Sequence, residues 1–508
     1  MVKSKICLCL TGKTLDEDIR YVNKYRDFID LVELRADCLT EDQQLKIREF
    51  PQMIDVPAIL TVRRKSDGGN FSAGEGSRAI IMAKGLAYAN LDKTKNFAYI
   101  DLEDDFNVPS IEEAARAFGI RIIRSFHNIT GPVQHIEFKI QGMSRFNDEI
   151  YKIAFKPNSL SDVTRLFKEA EKLEKKDVIL IAMGSFGFAT RVLSGKLNSF
   201  ITFTSPSHES GALQAAPGQI DPETLCKLYN FRNINEDTKI FAVTGFPLAA
   251  TKSPLIHNKG YQLAGINCVY LPVPAARPEE ILDFSSALGI LGLSVTVPHK
   301  ETIMPFLDDI SPSAIKIGSC NTIFRKNGKL YGTNTDADGF SKALLDFLGR
   351  KNLKGMKISI IGAGGAAKAV AYGVHALRGK ACIFNRSLEK AKKLASAYGF
   401  KFASLDISSS SLLSKYSDLI IQTTPIGMLP EPDKDPIPFY SFKGHEILYD
   451  IIYEPSETKV MKRARDAGCR VSNGFSMLAH QGALQFELFT GMQYPIDNGL
   501  LEKITKEK

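Results

Sequence analysis

Short apolar runs of β-favouring residues recur along the first 200 positions, separated by helical or loop-like stretches. In order they are KICLCLTG (5–12), IDLVELRAD (29–37), PAILTVR (57–63), FAYIDLED (97–104), IRIIRSFH (120–127), IYKIAFKP (150–157), DVILIAMG (177–184) and NSFITFTS (198–205). Helical periodicity fills several of the gaps, as in IEEAARAFG (111–119) and LSDVTRLFKEAEKLEKK (160–176). Strand, crossover, strand, repeated eight times, predicts a closed (β/α)8 TIM barrel. An open doubly wound sheet of eight strands is the alternative.

Polar residues gather where these runs end: Glu33, Arg35 and Asp37, then Arg63, Asp101 and Glu103, His127 and Lys156. The C-terminal strand ends are the face on which such barrels build their sites. Any one of these side chains could simply solvate a loop or cap a helix. The same pattern on five consecutive strands is harder to explain that way. Lys152 and Lys156, four apart, share one strand face. A lysine projecting into the barrel is expected to have its pKa lowered by burial and by neighbouring arginines, leaving a neutral amine able to attack a ketone. Position at the strand end alone favours Lys156. His127 suits general acid/base work. Arg35, Arg63 and Arg191 could grip a carboxylate. The Ser/Gly/Ala/Pro-rich stretch 205–219 reads as a lid.

A polar joint at 227–237 (KLYNFRNINED) precedes a fresh strand, KIFAVTGFP, which places a boundary near 235. Farther on, KISIIGAGGAAKAVAYGV (357–374) joins a β run to a small-residue helix through a GxGxxA turn. Gly362 suits the tight turn, and Gly364 allows backbone to approach a pyrophosphate. The helix beginning near Gly365 and Ala366 offers N–H groups and a positive dipole. The next strand ends in Asn385, Arg386 and Ser387 with no acid, and an Arg there fits a 2′-phosphate, so the reading is NADP. TTPIGM (423–428), carrying Thr424 and Met428, looks like a loop beside the cofactor. Other clusters are GFPLAATKSPLIHN (245–258), LSVTVPHK (293–300), SCNTI (319–323), YGTNTDADG (331–339) and NGFSMLAHQGALQFEL (473–488), in which Met477 and Gln481 share a helix face. Lys300 and Asp336 could form a proton-transfer pair if the fold brings them together.

Composition narrows the class. The chain has 508 residues, 44% apolar and 24% charged, which excludes a disordered or fibrous protein and implies several domains. The net charge of +8 suits small anionic substrates and is too diffuse for nucleic acid. Eight Cys without a CxxC, no signal-peptide pattern and no apolar run of membrane-spanning length predict a cytoplasmic enzyme with reduced thiols. No metal-ligand spacing of a familiar kind occurs, so no metal is expected.

Two resemblances follow. ELRAD, TVR, SFHN, YKIA, MGSFGFATR and APGQ occur in order over residues 1 to about 230 and together resemble type I 3-dehydroquinate dehydratase. The resemblance implies a Schiff-base lysine at Lys152, in the KIA context, and a proton-shuttling His127. It implies substrate contacts from Glu33, Arg35, Arg63, Asp67, Arg191 and Gln219. Asp67 stands where the family often has a Glu that orients the histidine, and Ala215 where some members have Ser. From about residue 238 onward the clusters resemble shikimate dehydrogenase. This implies Lys300 and Asp336 as the proton-transfer pair and Thr251, Ser253, Thr296, Asn321, Tyr453 and Gln481 as substrate contacts. Cofactor contacts are implied at Gly362, Gly364, Gly365, Ala366, Asn385, Arg386, Ser387, Thr424, Met428 and Gly474. Ser294 stands where many members have Asn, and Thr251 where many have Ser.

The expected organisation is a barrel over 1–234, a substrate domain over 238–340 completed by helices in 474–508, and a Rossmann domain over 341–473. The expected function is two consecutive shikimate-pathway steps. The first is Schiff-base dehydration of 3-dehydroquinate to 3-dehydroshikimate. The second is its NADPH-dependent reduction to shikimate. Two rivals stand beside this: a metabolite sensor without turnover, and an NAD-dependent quinate-oxidising enzyme. Oligomeric state is left open.

Overall fold

A computed structural model describes residues 3–87, 90, 92–173, 177–207, 215–248 and 251–495. Eight strands form the first sheet: β1 (Lys5–Leu10), β2 (Leu31–Arg35), β3 (Ala58–Thr61), β4 (Tyr99–Glu103), β5 (Arg121–Asn128), β6 (Ile150–Phe155), β7 (Val178–Ala182) and β8 (Ile201–Thr204). Their order is β7-β6-β5-β4-β3-β2-β1-β8, with parallel neighbours. A bridge between Val178 and Ser199, with Phe200 N–H donating to Val178 O at 2.6 Å, draws β7 and β8 together, so the sheet is a nearly closed barrel rather than an open one.

Strand alternation explains what fills it. Cys7, Leu31, Ile59, Ile123, Ile150, Ile179 and Ile201 form an apolar layer inside. Two residues farther along the same strand faces stand Cys9, Glu33, Thr61, Ser125, Lys152, Ile181 and Phe203, all buried. The layer nearer the C-terminal ends is therefore polar on β2, β3, β5 and β6 and stays apolar on β1, β7 and β8. Burying each apolar side chain contributes about 1.5–3 kcal/mol and holds the polar layer above it in register.

The chain divides into two compact units: Met1–Ile240 with Asn267–Ile290, and Phe241–Ile266 with Leu291–Lys508. In the first, β9 begins (Lys239–Thr244) and β10 (Cys268–Pro272) lies beyond it in sequence. There Phe284 of the helix Pro278–Leu288 meets Phe167 of the helix Leu160–Ala170 edge-on, ring centroids 6.1 Å apart.

In the second unit β9 pairs parallel with β11 (Gly292–Val295), and β11 pairs antiparallel with β13 (Thr322–Lys326). The strand β12 (Asp309–Ile310) pairs parallel with β14 (Lys329–Thr333), which closes a hairpin with β13. The remaining strands are β15 (Lys357–Ile361), β16 (Lys380–Asn385), β17 (Lys401–Ser404), β18 (Leu419–Gln422), β19 (Ile447–Asp450) and β20 (Arg470–Ser472). They form an all-parallel sheet in the order β17-β16-β15-β18-β19-β20. The order reverses between β15 and β18, which makes a doubly wound sheet with its crevice at their C-terminal ends. Among the described residues no helix is long and apolar enough to cross a membrane.

Candidate functional site

The polar layer of the barrel opens into a cleft of about 640 Å³, mouth included, lined by Glu33, Arg35, Arg63, Asp67, His127, Lys152, Arg191 and Gln219 among others. The parallel register puts Ser125 opposite Lys152 and His127 opposite Ala154, so the imidazole stands one strand period nearer the mouth than the amine. Lys152 Nζ is 2.9 Å from Asp101 Oδ2, 3.6 Å from Glu33 Oε1 and 4.4 Å from the centre of the Phe203 ring. Lys156 lies beyond β6 and is exposed. Of the two lysines, Lys152 is therefore the one inside the cleft and Lys156 the one outside it.

The charge on that lysine departs from expectation. Burial opposes the ammonium, but the carboxylates of Asp101 and Glu33 outweigh burial and Arg63 together, and its pKa is raised, not lowered. The sequence reading weighed the arginines and left out the two acids. Asp101 is the residue it missed: a strand-end acid with no role assigned. Burial would raise the Asp101 pKa, but Arg63, Lys152 and His127 hold it far below the usual range. Its Oδ1 is 2.8 Å from Arg63 and accepts from Ser125 Oγ at 2.6 Å. Arg63 also donates to Glu103 Oε1 at 2.7 Å. Glu33 accepts from Thr61 Oγ1 at 2.9 Å and Cys9 Sγ at 3.1 Å.

The other barrel residues sort by what they touch. Burial, then the charges of Arg63 and Lys152, push His127 well below its usual pKa, so it stands as a neutral imidazole. Its Nδ1 has no hydrogen-bond partner among the described residues. Asp67, expected to orient it, instead accepts from Arg64 Nε at 2.7 Å, because a side chain this short closes an i,i+3 pair on its own loop. Arg35 is held bidentately by Asp37 at 2.9 and 2.7 Å. Arg191 is different: among the described residues its hydrogen-bond partners are the carbonyls of Phe203 and Pro217, at 3.1 and 3.3 Å, and burial lowers its pKa to about 10. A buried cation with only carbonyl partners suits an anionic ligand. Gln219 Oε1 accepts from Ala216 N–H at 3.2 Å. Part of the expected lid, 208–214, lies outside the described residues.

In the second unit the expected pair does meet: Lys300 Nζ is 2.5 Å from Asp336 Oδ2. Lys300 comes from the short helix His299–Thr302 and Asp336 opens the helix Asp336–Leu348. Asn321 Nδ2 donates to Asp336 Oδ1 at 2.8 Å and lies 3.4 Å from Gln481 Oε1. Thr251 Oγ1 donates to Ser253 Oγ at 3.1 Å and is hydrogen-bonded to Tyr453, whose pKa burial raises. Thr296 is half-buried after β11, and its N–H donates to Thr244 O at 2.8 Å.

The glycine turn follows β15 at the sheet's crevice. Gly362 has φ +115°, and a Cβ there would meet Thr423 Oγ1 at 2.6 Å. Above Gly364 nothing lies within 4 Å of a Cβ position, and the helix Gly365–Ala376 starts there, so its N-terminal turn at Gly365 and Ala366 faces open space. A pyrophosphate fits such a cradle. A Cβ on Gly365 would lie 3.7 Å from Lys300 Cδ, so the proton-transfer pair borders this turn. Asn385 Nδ2 donates to Ser387 O at 3.0 Å, while Arg386 is exposed and no acid ends β16. Thr424 Oγ1 donates to Gln422 Oε1 at 2.9 Å, and Met428 is exposed beside it. Gly474 packs where a Cβ would overlap Ile451 O, letting the helix Phe475–Thr490 start against β19.

Comparison with known proteins gives matches along both halves of the chain. Residues 6–236 match the type I 3-dehydroquinase family, and 243–323 match the shikimate dehydrogenase substrate binding domain. Residues 346–426 match the shikimate / quinate 5-dehydrogenase family and 474–498 the shikimate 5′-dehydrogenase C-terminal domain. A chloroplastic bifunctional 3-dehydroquinate dehydratase/shikimate dehydrogenase of Arabidopsis thaliana is 30% identical, over 97% of this chain and 83% of its own length. A shikimate dehydrogenase (NADP(+)) of Desulforamulus reducens is 40% identical over 52% of this chain and 94% of its own. A solved Thermus thermophilus shikimate 5-dehydrogenase in complex with NADP(H) and shikimate is 31% identical, covers 53% of this chain and 98% of its own, and has a TM-score of 0.47.

Proposed function

Because the chain belongs to the bifunctional 3-dehydroquinate dehydratase/shikimate dehydrogenase family, we propose that its two halves catalyse consecutive shikimate-pathway steps with the residues described above. The protein is both a lyase and an NADP-dependent oxidoreductase. The observation that carries the reading is Lys152: one buried amine inside the barrel, beside a neutral imidazole and an arginine without a carboxylate partner.

In the barrel the carboxylate of 3-dehydroquinate meets Arg191, and Arg35 and Gln219 border the same cleft. Lys152 passes a proton to His127 and attacks the C3 ketone; His127 returns that proton to the carbinolamine oxygen, which leaves as water to give the iminium. The iminium draws electrons from C2. His127, neutral at rest, takes the C2 proton and returns it to the departing C1 hydroxyl, which leaves as water. Hydrolysis frees 3-dehydroshikimate and restores the amine. Asp101, kept ionised by Arg63 and Ser125, balances the positive nitrogen throughout.

In the second half, Gly362, Gly364 and the helix turn at Gly365 and Ala366 would hold the dinucleotide pyrophosphate. Asn385, Arg386 and Ser387 would hold the 2′-phosphate end, with Thr424, Met428 and Gly474 beside the crevice. The bound cofactor supplies a hydride. Thr251, Ser253 and Tyr453 bind the carboxylate of 3-dehydroshikimate, while Thr296, Asn321 and Gln481 orient the ring hydroxyls. Lys300, paired to Asp336, delivers the proton to the C3 oxygen. All eight cysteines are free thiols, which fits a cytoplasmic setting.

Supplying 3-dehydroquinate and NADPH to the full-length protein tests the whole reading. NADPH consumption with shikimate as product is the expected outcome. Dehydration without reduction, or oxidation of quinate with NAD in preference to shikimate with NADP, would overturn the second half of it.

A further inference from the structure

The helix Phe475–Thr490 carries Gln481 on the substrate side, and one turn farther Gln485, which is 1% exposed and touches none of the side chains assigned to substrate. Its contacts form a directed chain. The Asn321 carbonyl, which only accepts, fixes which end of the Gln485 amide is which, and Oε1 accepts from Ser294 Oγ at 2.7 Å. Gln485 Nε2 then donates to Thr322 Oγ1 at 2.9 Å and to Asn321 O at 3.2 Å. A threonine hydroxyl has one proton, and Thr322 directs it to Asn321 Oδ1 at 2.8 Å. Thr335 N–H donates to the same oxygen at 2.8 Å. With Oδ1 doubly occupied, the Asn321 amide presents Nδ2 to Asp336 Oδ1. That leaves Asp336 Oδ2 for Lys300. Ser294, Asn321, Thr322, Asp336 and Gln485 are all buried, so water does not readily replace a lost link.

We propose that Gln485 is a positioning residue for the reductase reaction, holding the Asn321 amide through Thr322 so that Asp336 keeps one oxygen free for Lys300. The proposal rests on the reading of Lys300 and Asp336 as the proton-transfer pair.

The test uses the full-length protein, with its dehydratase activity as the internal check on folding. Gln485→Leu is expected to lower kcat for shikimate oxidation about tenfold and to move the midpoint of the kcat–pH curve by about half a pH unit. The KM for NADP should stay within about twofold, since the substituted residues, Gln485 and Thr322, are not at the glycine turn. Thr322→Val should reproduce this, Thr322→Ser should stay close to the parent, and Gln485→Leu with Thr322→Val should be no worse than either alone. A Gln485→Leu curve superimposable on the parent, or two independent losses that add, overturns the proposal. Lys300→Ala and Asp336→Asn separate the two levels. If both retain kcat, the proton-transfer reading itself is wrong and this inference falls with it. If both lose kcat while Gln485→Leu does not move the curve, only the inference falls.

Discussion

Both halves set a lysine against an aspartate, at 2.9 Å in the barrel and 2.5 Å in the second unit, yet the two pairs are built for different work. In the barrel the side chains are 6% and 0% exposed, and the pair sits in a lattice with Glu33, Arg63 and Glu103, contributed by β2, β4, β6 and the loop after β3. In the second unit they are 14% and 9% exposed, and the other Asp336 oxygen meets a neutral amide. Two carboxylates around Lys152 store it as an ammonium beside an imidazole that burial keeps neutral, so substrate must redistribute a proton before the amine can attack. Lys300 faces one carboxylate, itself bonded to an amide, at the edge of the glycine turn. In the proposed reading the number of counter-charges and the depth of burial, not the residue types, set the nucleophile apart from the acid.

The contrast can be broken most sharply at Lys152. Lys152→Ala should lower dehydratase kcat by about 10⁴-fold or more and abolish borohydride trapping of substrate, with reductase activity unchanged. Trapping that survives in Lys152→Ala but is lost in Lys156→Ala would move the nucleophile. Next in size, Asp336→Asn should cost the reductase about 10²–10⁴-fold in kcat and leave the dehydratase untouched. A loss confined to KM would make Asp336 a binding residue instead. Arg386→Glu should shift the NADP/NAD ratio of kcat/KM by about 10- to 100-fold toward NAD; an unchanged ratio would place 2′-phosphate recognition elsewhere.

The smallest effect concerns stability. Each half buries one carboxyl whose pKa burial raises to about 7, Asp18 in the first and Asp450 in the second. For Asp18 the folded value lies above the unfolded 3.8, so its protonated form stabilises the fold at low pH, and that contribution is lost as pH rises through about 7. Thermal unfolding between pH 5 and 8 should show this fall, no larger than about 4 kcal/mol, and Asp18→Asn should flatten it. A parent curve rising over that range would contradict the assignment.

Much of this was legible in the chain. The eight strands were readable because each is apolar and bounded by turn residues. The glycine turn was readable because strand, glycines and small-residue helix are contiguous. The resemblance picked Lys152, which the structure buries inside the barrel, where strand-end position favoured the exposed Lys156. What escaped were contacts between residues far apart in sequence. Asp101 lies 51 positions from Lys152, and nothing local distinguishes it from Glu103 two residues on. Asp67 was expected at His127, but Arg64, three residues away, captured it. Gln485 lies 163 residues from the hydroxyl it holds.

By itself, then, the order of residues determined the strands and the glycine turn after β15, because those follow from periodicity and local stereochemistry. Only the tertiary structure decided the protonation of Lys152, the freedom of His127 from Asp67 and the route by which Gln485 reaches Asp336. Those depend on electrostatic sums and single hydrogen bonds over a few ångströms, which form only when barrel closure and helix packing bring distant segments together.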